Sequence, residues 1–129
     1  ISDIDENTII GTDHAPHTPE DKANNAPGIS GIETSFALCH KVFTDNEISL
    51  KLLSKLLSAS PARFLGLSPR VIRAGMQANL VVIEEKKSQI DSSLFESKGK
   101  NTPFDKETVY AVIDKTIRKG DILYDNGQN

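Results

Sequence analysis

The residues of this chain best suited to chemistry are one carboxylate and two imidazoles close together in sequence, Asp13, His14 and His17. They follow the apolar, β-branched run at 8–10, which is typical of a buried strand. A strand that ends on such residues presents them beyond its carboxyl end, where barrel and open-sheet α/β enzymes keep their active sites. A carboxylate beside a divalent metal can take the proton of a metal-bound water, and Asp13 would suit that chemistry. Pro16 disfavours a helix here, so Asp13 and His17 are not interpreted as a pair on one helical face.

Taken one at a time, these residues have simpler interpretations. An aspartate at the end of a strand often caps a helix or forms a turn. A histidine in a loop is often only solvated. The motif as a whole therefore has to carry the functional argument, rather than any single residue in it.

Length and composition limit the folds and partners that the chain allows. Its 129 residues, 37% of them hydrophobic, suffice for one modest domain but not for a (β/α)8 barrel, which needs about 250. Because the first residue is Ile1 rather than Met, we expect the chain to be the carboxyl-terminal part of a longer protein. A net charge of −3 does not favour nucleic-acid binding, and no apolar run approaches the ~20 residues that span a bilayer. The single cysteine, Cys39, cannot form a disulfide within the chain and suits a reducing compartment such as the cytoplasm.

Apolar residues at helical spacing follow the motif and predict a first helix. The stripe contains Ile32, Phe36, Cys39 and Phe43. Cys39 is interpreted as a small core residue because it lies on this stripe. His40 lies beside the stripe near the helix end and is interpreted as structural.

Two further helices are predicted before residue 68. Leu50, Leu53, Leu56 and Leu57 mark the second, with Ser49 as a candidate cap. The third begins with Ser60 at the N-cap and Pro61 at the first helical position, and ends before Gly66. These helices would cover the outer wall of a barrel.

The periodicity changes around residue 68, and the second half of the chain predicts strands. Apolar or β-branched runs lie at 80–83, 109–113, 116–118 and 122–124, with a glycine-containing turn at 119–121. We therefore divide the chain into 1–68 and a small β-rich domain at 69–129. The charged, serine-rich connection between the strands contains Lys98-Gly99-Lys100, which lacks the remaining positions of a phosphate-binding Walker loop and is interpreted as structural.

Five motifs in this chain resemble those of a known enzyme family. They are Thr12-Asp13-His14-Ala15-Pro16-His17, Ala26-Pro27-Gly28-Ile29-Ser30-Gly31-Ile32-Glu33-Thr34, Ser60-Pro61-Ala62-Arg63, Gly75-Met76-Gln77-Ala78-Asn79-Leu80-Val81-Val82 and Ser97-Lys98-Gly99-Lys100-Asn101-Thr102-Pro103-Phe104. Together they resemble the dihydroorotase branch of the cyclic amidohydrolases, in the order that the family has them. The first and last motifs are specific to that branch, whereas the middle ones occur in many amidohydrolases.

The resemblance implies an α/β fold. Residues 1–68 would form the carboxyl-terminal end of a metal-dependent (β/α)8 TIM barrel, with its last strand and helices. Residues 69–129 would form a small β-rich, β-sandwich-like domain that in the family also includes strands from the amino terminus. The implied activity is the reversible, zinc-dependent hydrolysis of dihydroorotate to N-carbamoyl-aspartate in pyrimidine biosynthesis.

The resemblance also implies roles for four residues. Asp13 would be a metal ligand and the catalytic acid and base, and His17 would contact the substrate's carbonyl or carboxylate. Pro27 and Gly28 would lie in a loop that lends backbone groups to the substrate, although the family commonly has an aromatic residue between these two positions that this chain lacks. His14 would orient its neighbours without contacting metal or substrate.

The other groups of the family site have no counterpart in this sequence. They are a His-x-His pair, a carboxylated lysine, two further histidines, and an arginine and asparagines for the substrate carboxylate. We therefore expect one or two Zn²⁺ ions in the intact enzyme and an inactive isolated chain, because one carboxylate fixes a metal poorly.

Several alternatives stay open from the sequence. The protein could be a dihydropyrimidinase, hydantoinase or allantoinase, a non-catalytic dihydroorotase-like scaffold subunit, or a small β-rich accessory domain. His17 favours dihydroorotase, because an acidic substrate needs a polar or cationic partner. Besides a small-molecule substrate, the partners we expect are a second copy of the protein or an aspartate transcarbamoylase, with no nucleic acid and no membrane.

Overall fold

Four helices and a π-helical segment occupy the first half of the chain in the computed structural model, which describes residues 4–5, 7–68 and 71–128. The helices are α1 (Pro19–Ala23), α2 (Ser35–Asp45), α3 (Leu50–Ser54) and α4 (Ser60–Phe64), with the π-helical turn at Lys55–Ala59. Helix α3 begins as predicted, since the Ser49 hydroxyl accepts a hydrogen bond from the Lys51 N–H at 3.2 Å. No helix in the described ranges is both long and apolar enough to cross a membrane.

The predicted break before Ser60 is wrong. Ala59 and Ser60 both have right-handed helical backbone angles, so the chain is helical without interruption from Leu50 to Phe64. Pro61 has no N–H to offer the preceding turn, and the wider π-helical turn before it accommodates that loss without ending the helix.

The helical stretch ends where the sequence predicts. Gly66 has a φ of +70°. Its N–H donates to Arg63 O at 3.0 Å, and the N–H of Leu67 donates to Ala62 O at 2.8 Å. These are the two hydrogen bonds of a Schellman motif, which requires the left-handed backbone that glycine adopts without cost.

The buried core lies between helix α2 and the helical stretch that starts with α3. Phe43, Leu53 and Leu56 form its centre, and the half-buried side chains packed against it are Ile4, Ile10, Phe36, Cys39, Ile48, Leu52 and Leu57. Ile32 was predicted to belong to this stripe, but it is 57% exposed because it lies in the turn before α2. Burial raises the pKa of the Cys39 thiol, in keeping with the prediction of a small core residue.

The predicted strand over Ile9 and Ile10 is also wrong for the described chain. Residues 8–13 are neither strand nor helix, because no neighbouring strand lies beside them in the described ranges to share ladder hydrogen bonds. The Ile10 N–H instead donates to Leu56 O at 3.2 Å. The segment that leads to Asp13 is thus anchored on the helical core.

Two antiparallel sheets follow in the second half of the chain. The larger has the strand order β1-β4-β5, formed by Asn79–Glu84, Val112–Arg118 and Asp121–Asp125. The smaller pairs β2 (Ser88–Gln89) with β3 (Thr108–Val109). The single strand predicted at 109–113 is therefore divided between β3 and β4, because the chain changes its pairing partner at Tyr110 and Ala111. The separate strand predicted at 116–118 is part of β4.

The predicted turn at 119–121 is a two-residue hairpin. Lys119 and Gly120 have φ values of +57° and +98°, and Arg118 pairs with Asp121 across them. Two left-handed residues are typical of the turn type whose twist matches that of the flanking strands. The strands thus lie at and beyond Asn79, whereas the division of the chain at residue 68 stays a prediction, since residues 69 and 70 lie outside the described ranges.

Removing the most deeply buried leucine tests the core. Leu56 is 1% exposed, so Leu56→Ala should lower the free energy of unfolding by about 2–5 kcal/mol through lost burial and a residual cavity. The measurement is a denaturant titration of the full-length protein. Leu94→Ala is the matched control: Leu94 is 78% exposed and its truncation should change stability by no more than about 0.5 kcal/mol. Equal effects of the two substitutions would contradict this core.

Candidate active site

Asp13 lies exposed at the end of the segment anchored on the helical core. Its backbone has a φ of +45°, a left-handed conformation that aspartate tolerates better than most residues. No group in the described part of the chain donates a hydrogen bond to its carboxylate or pairs with it. Asp13 therefore offers an unshared carboxylate, the form that a metal ligand or general base requires.

His14 is hydrogen-bonded to the backbone just before helix α2. Its Nδ1 accepts hydrogen bonds from the backbone N–H groups of Gly31 and Ile32, at 3.1 and 3.2 Å. Next to it, the Ala15 N–H donates to Ile29 O at 2.9 Å, which forms a parallel bridge between 14 and 29. A neutral ring whose Nδ1 accepts must carry its proton on Nε2, so this imidazole holds the backbone at 29–32 rather than offering Nδ1 to a metal.

The structure brings His17 and Gly28 together. Gly28 has a φ of +99°, and a Cβ built on it would lie 2.6 Å from Ala15 Cβ and 3.5 Å from His17 Cδ2. Only glycine permits so close an approach. Lys22 also stabilises this loop, since its Nζ donates to the carbonyl oxygens of Ala26 at 2.6 Å and Gly28 at 3.1 Å. Pro27 lies exposed between these two carbonyls.

Helix α1 follows His17 and is fixed by a capping box. The hydroxyl of Thr18 accepts from the Asp21 N–H, while the Asp21 carboxylate accepts from the hydroxyl and the N–H of Thr18. These hydrogen bonds, the one from the hydroxyl first, lower the pKa of Asp21, and the nearby His17 lowers it further. The Asp21 carboxylate that caps the helix also lies 4.0 Å from His17 Nδ1.

Three residues that the sequence analysis did not select also contribute to the site. They are Ser30, Gly99 and Asn101. Gly99 packs against His17, Asn101 donates a hydrogen bond to Gly28 O, and Ser30 donates one to Gly99 O. Gly99 and Asn101 belong to a motif that carries the family resemblance, but the sequence offered no contact for them. Their sequence separation from His17 is large, so no local spacing rule could have paired them.

The described chain does not by itself contain the side chains that a metal site needs. Within it, no group of three or more His, Cys, Asp or Glu side chains is arranged to hold a metal ion. His40 is buried in helix α2, where it contacts Phe36, Thr44 and Glu85 and none of the residues around Asp13. Asp13 fits the chemistry of one zinc ligand, and the remaining ligands would have to come from elsewhere.

Known proteins resemble this chain over most of its length. The sequence profile of the amidohydrolase family matches residues 1–123. A dihydroorotase from Clostridium botulinum is 48% identical over 117 aligned positions, covering 89% of this chain and 29% of that protein. A dihydroorotase from Caldanaerobacter subterraneus is 39% identical over 132 aligned positions, covering 96% of this chain and 30% of that protein.

The solved structures include a similar fold. The L-hydantoinase (dihydropyrimidinase) from Arthrobacter aurescens matches with a TM-score of 0.83 and 26% sequence identity, over 93% of this chain and 29% of that one. This chain therefore spans less than a third of the length of these relatives. The family profile matches nearly every residue of the chain, and these relatives agree with it. The chain therefore belongs to the amidohydrolase family.

Proposed function

We propose that the protein containing this chain is a zinc-dependent dihydroorotase, which opens and closes the cyclic amide between dihydroorotate and N-carbamoyl-aspartate in de novo pyrimidine biosynthesis, in the cytoplasm. One observation carries the proposal: the unshared Asp13 carboxylate lies just before a loop in which His17 lies close to Gly28. The relatives named dihydroorotase, at 48% and 39% identity, support the same activity.

The proposed fold of the whole protein is a (β/α)8 barrel with a small β-rich domain. Residues 1–68 would close the barrel, and residues 69–129 would contribute the sheet formed by β1, β4 and β5. The likeness to the hydantoinase structure supports this arrangement. The motif at 12–17 would then lie at the carboxyl end of the barrel, the end at which barrel enzymes carry their active sites.

Asp13 is the proposed proton carrier. Zinc, when bound, would supply an activated water and a polarised amide carbonyl. As the oxygen of water adds to the carbonyl carbon, the Asp13 carboxylate takes up a proton. It returns that proton to the ring nitrogen as the C–N bond breaks, and the ring opens to N-carbamoyl-aspartate. The reverse sequence closes the ring.

His17 and the loop at 27–28 are the proposed substrate contacts. Dihydroorotate carries a carboxylate, and an imidazole can donate a hydrogen bond to it in either its neutral or its protonated form. Gly28 has no side chain of its own that would keep a substrate away from its backbone. The loop that holds Pro27 is fixed by Lys22 and by the contact with Ala15.

A second candidate function is that of a hydantoinase or dihydropyrimidinase. The fold match to the Arthrobacter enzyme, at 26% identity, favours it. These substrates lack the carboxylate of dihydroorotate, so they offer His17 no anionic group to bind. The whole protein could also be a non-catalytic scaffold that binds an aspartate transcarbamoylase, but retention of Asp13 and His17 argues against loss of catalysis. It could also form a homodimer.

A substrate panel tests the proposed function. We expect the full-length protein loaded with zinc to hydrolyse dihydroorotate and to act on dihydrouracil, hydantoin and allantoin far more slowly, because only the first offers His17 a carboxylate. The measurement is the steady-state kcat/KM for each compound. Preference for an uncharged ring would refute the dihydroorotase assignment, and inactivity on all four would favour the scaffold.

Replacing the proton carrier tests the mechanism. In the full-length enzyme, Asp13→Asn should lower kcat by about 10²–10⁴-fold, the usual contribution of general acid–base catalysis, while leaving the fold in place. The amide is close to isosteric, but it cannot accept and return a proton. Steady-state kinetics and metal content are measured together.

His17→Ala is the contrasting variant. It removes a substrate contact and should raise KM while the metal content stays at the wild-type level. An Asp13→Asn enzyme within a few-fold of wild type would place the proton carrier on another residue.

A further inference from the structure

The segment from Ser97 to Asn101 crosses directly over the backbone of the motif loop. Gly99 is buried, and a Cβ built on it would lie 2.6 Å from His17 O and 2.8 Å from His17 N. The same Cβ would lie 3.0 Å from Pro16 Cβ. Because backbone atoms cannot move aside as a flexible side chain would, only glycine fits here. The glycine at position 99 therefore allows the two backbones to lie this close together at His17.

The same segment is hydrogen-bonded to the loop that carries Gly28. The Ser30 hydroxyl donates to Gly99 O, and the Ser30 N–H donates to Asn101 O at 2.7 Å. The Asn101 side-chain amide donates to Gly28 O at 3.3 Å. Ser30 is fully buried, so its hydrogen bonds form without competition from water. One segment thus contacts both proposed substrate-binding positions.

A fourth hydrogen bond anchors the start of this segment. The Ser97 N–H donates to Glu33 Oε1 at 2.9 Å, just before helix α2. The neighbouring Thr34 is 2% exposed, and its hydroxyl donates to Gly31 O at 3.2 Å. Within the described ranges the segment makes no hydrogen bond to Asp13. Its contacts therefore bear on the substrate-binding side of the site rather than on the proton carrier.

We infer that the segment Ser97–Asn101 is a positioning element that sets the separation between His17 and Gly28, acting through Gly99 on the first and Asn101 on the second. The inference rests on the proposed function of those two residues as substrate contacts. Gly99 and Asn101 are positioning residues, since they act through His17 and Gly28. Displacing either one changes how the substrate is held and leaves the proton transfer at Asp13 intact.

Substitutions in the full-length enzyme test this inference. Gly99→Ala forces the backbone at His17 to shift, and Asn101→Ala removes one hydrogen bond to Gly28 without adding bulk. Gly127→Ala is the matched control, because its new methyl would meet only Asp125 Oδ1 at 3.5 Å, an ordinary contact. The measurements are KM and kcat for N-carbamoyl-aspartate, and amide hydrogen exchange of peptides that cover residues 12–34.

The expected result is a KM that rises about 10-fold to 100-fold in Gly99→Ala, with kcat within a few-fold of wild type. Asn101→Ala should show a smaller rise of the same kind, and Gly127→Ala should show none. Exchange at 12–34 should be faster in the first two variants and unchanged in the control.

Other outcomes are decisive as well. If exchange becomes faster while KM stays at the wild-type value, the segment is merely structural and the inference is wrong. If Gly99→Ala fails to fold, Asn101→Ala decides by the same two readouts. If the wild-type enzyme does not act on N-carbamoyl-aspartate, the proposed function fails, and exchange alone decides whether the segment holds the two loops: unchanged exchange in both variants overturns the inference.

Discussion

The close approach of glycine backbone to the segment from Ala15 to His17 is the constraint on which the site depends. Gly28 approaches it at Ala15 and Gly99 approaches it at Pro16 and His17, at separations that leave no room for a Cβ. Three stretches of chain that are distant in sequence are therefore held backbone to backbone. Hydrogen bonds from Ser30 and Asn101 then fix their orientation. A site built in this way has little freedom to move, which suits groups that must meet a substrate in one geometry.

Hydrogen bonds attach the motif that carries Asp13 to the helical core and to the backbone before helix α2. The hydrogen bond from Ile10 to Leu56 attaches the entry of the motif to the most buried leucine of the core. His14 attaches the exit by accepting two N–H groups just before helix α2. Asp13 lies between these two anchors, exposed and in a left-handed backbone conformation. The backbone of Asp13 is thus held on both sides, while its carboxylate remains free to bind a metal.

Local patterns predicted the elements that local physics determines. The apolar stripe of α2, the Ser49 cap, the Gly66 terminus and the turn at 119–121 all depend on neighbouring residues. Two of the failures need distant partners: 8–10 lack a neighbouring strand among the described residues, and the chain at Tyr110 and Ala111 changes sheets. The contact of Gly99 with His17 was missed for the same reason. The wrong break before Ser60 has a local cause, the π-helical turn that keeps the chain helical into Pro61. Family resemblance supplied the roles that we propose for Asp13, His17, Pro27 and Gly28, which spacing alone left open.

The central claim is that this chain presents Asp13 to a metal beside the loops that hold the substrate. Anomalous X-ray scattering at the zinc edge, from crystals of the full-length protein grown with dihydroorotate, tests it most directly. The account predicts a zinc ion with an Asp13 carboxylate oxygen at about 2.0–2.2 Å and the substrate carboxylate beside His17. A zinc site without Asp13, or no zinc at the end of the motif loop, would contradict it.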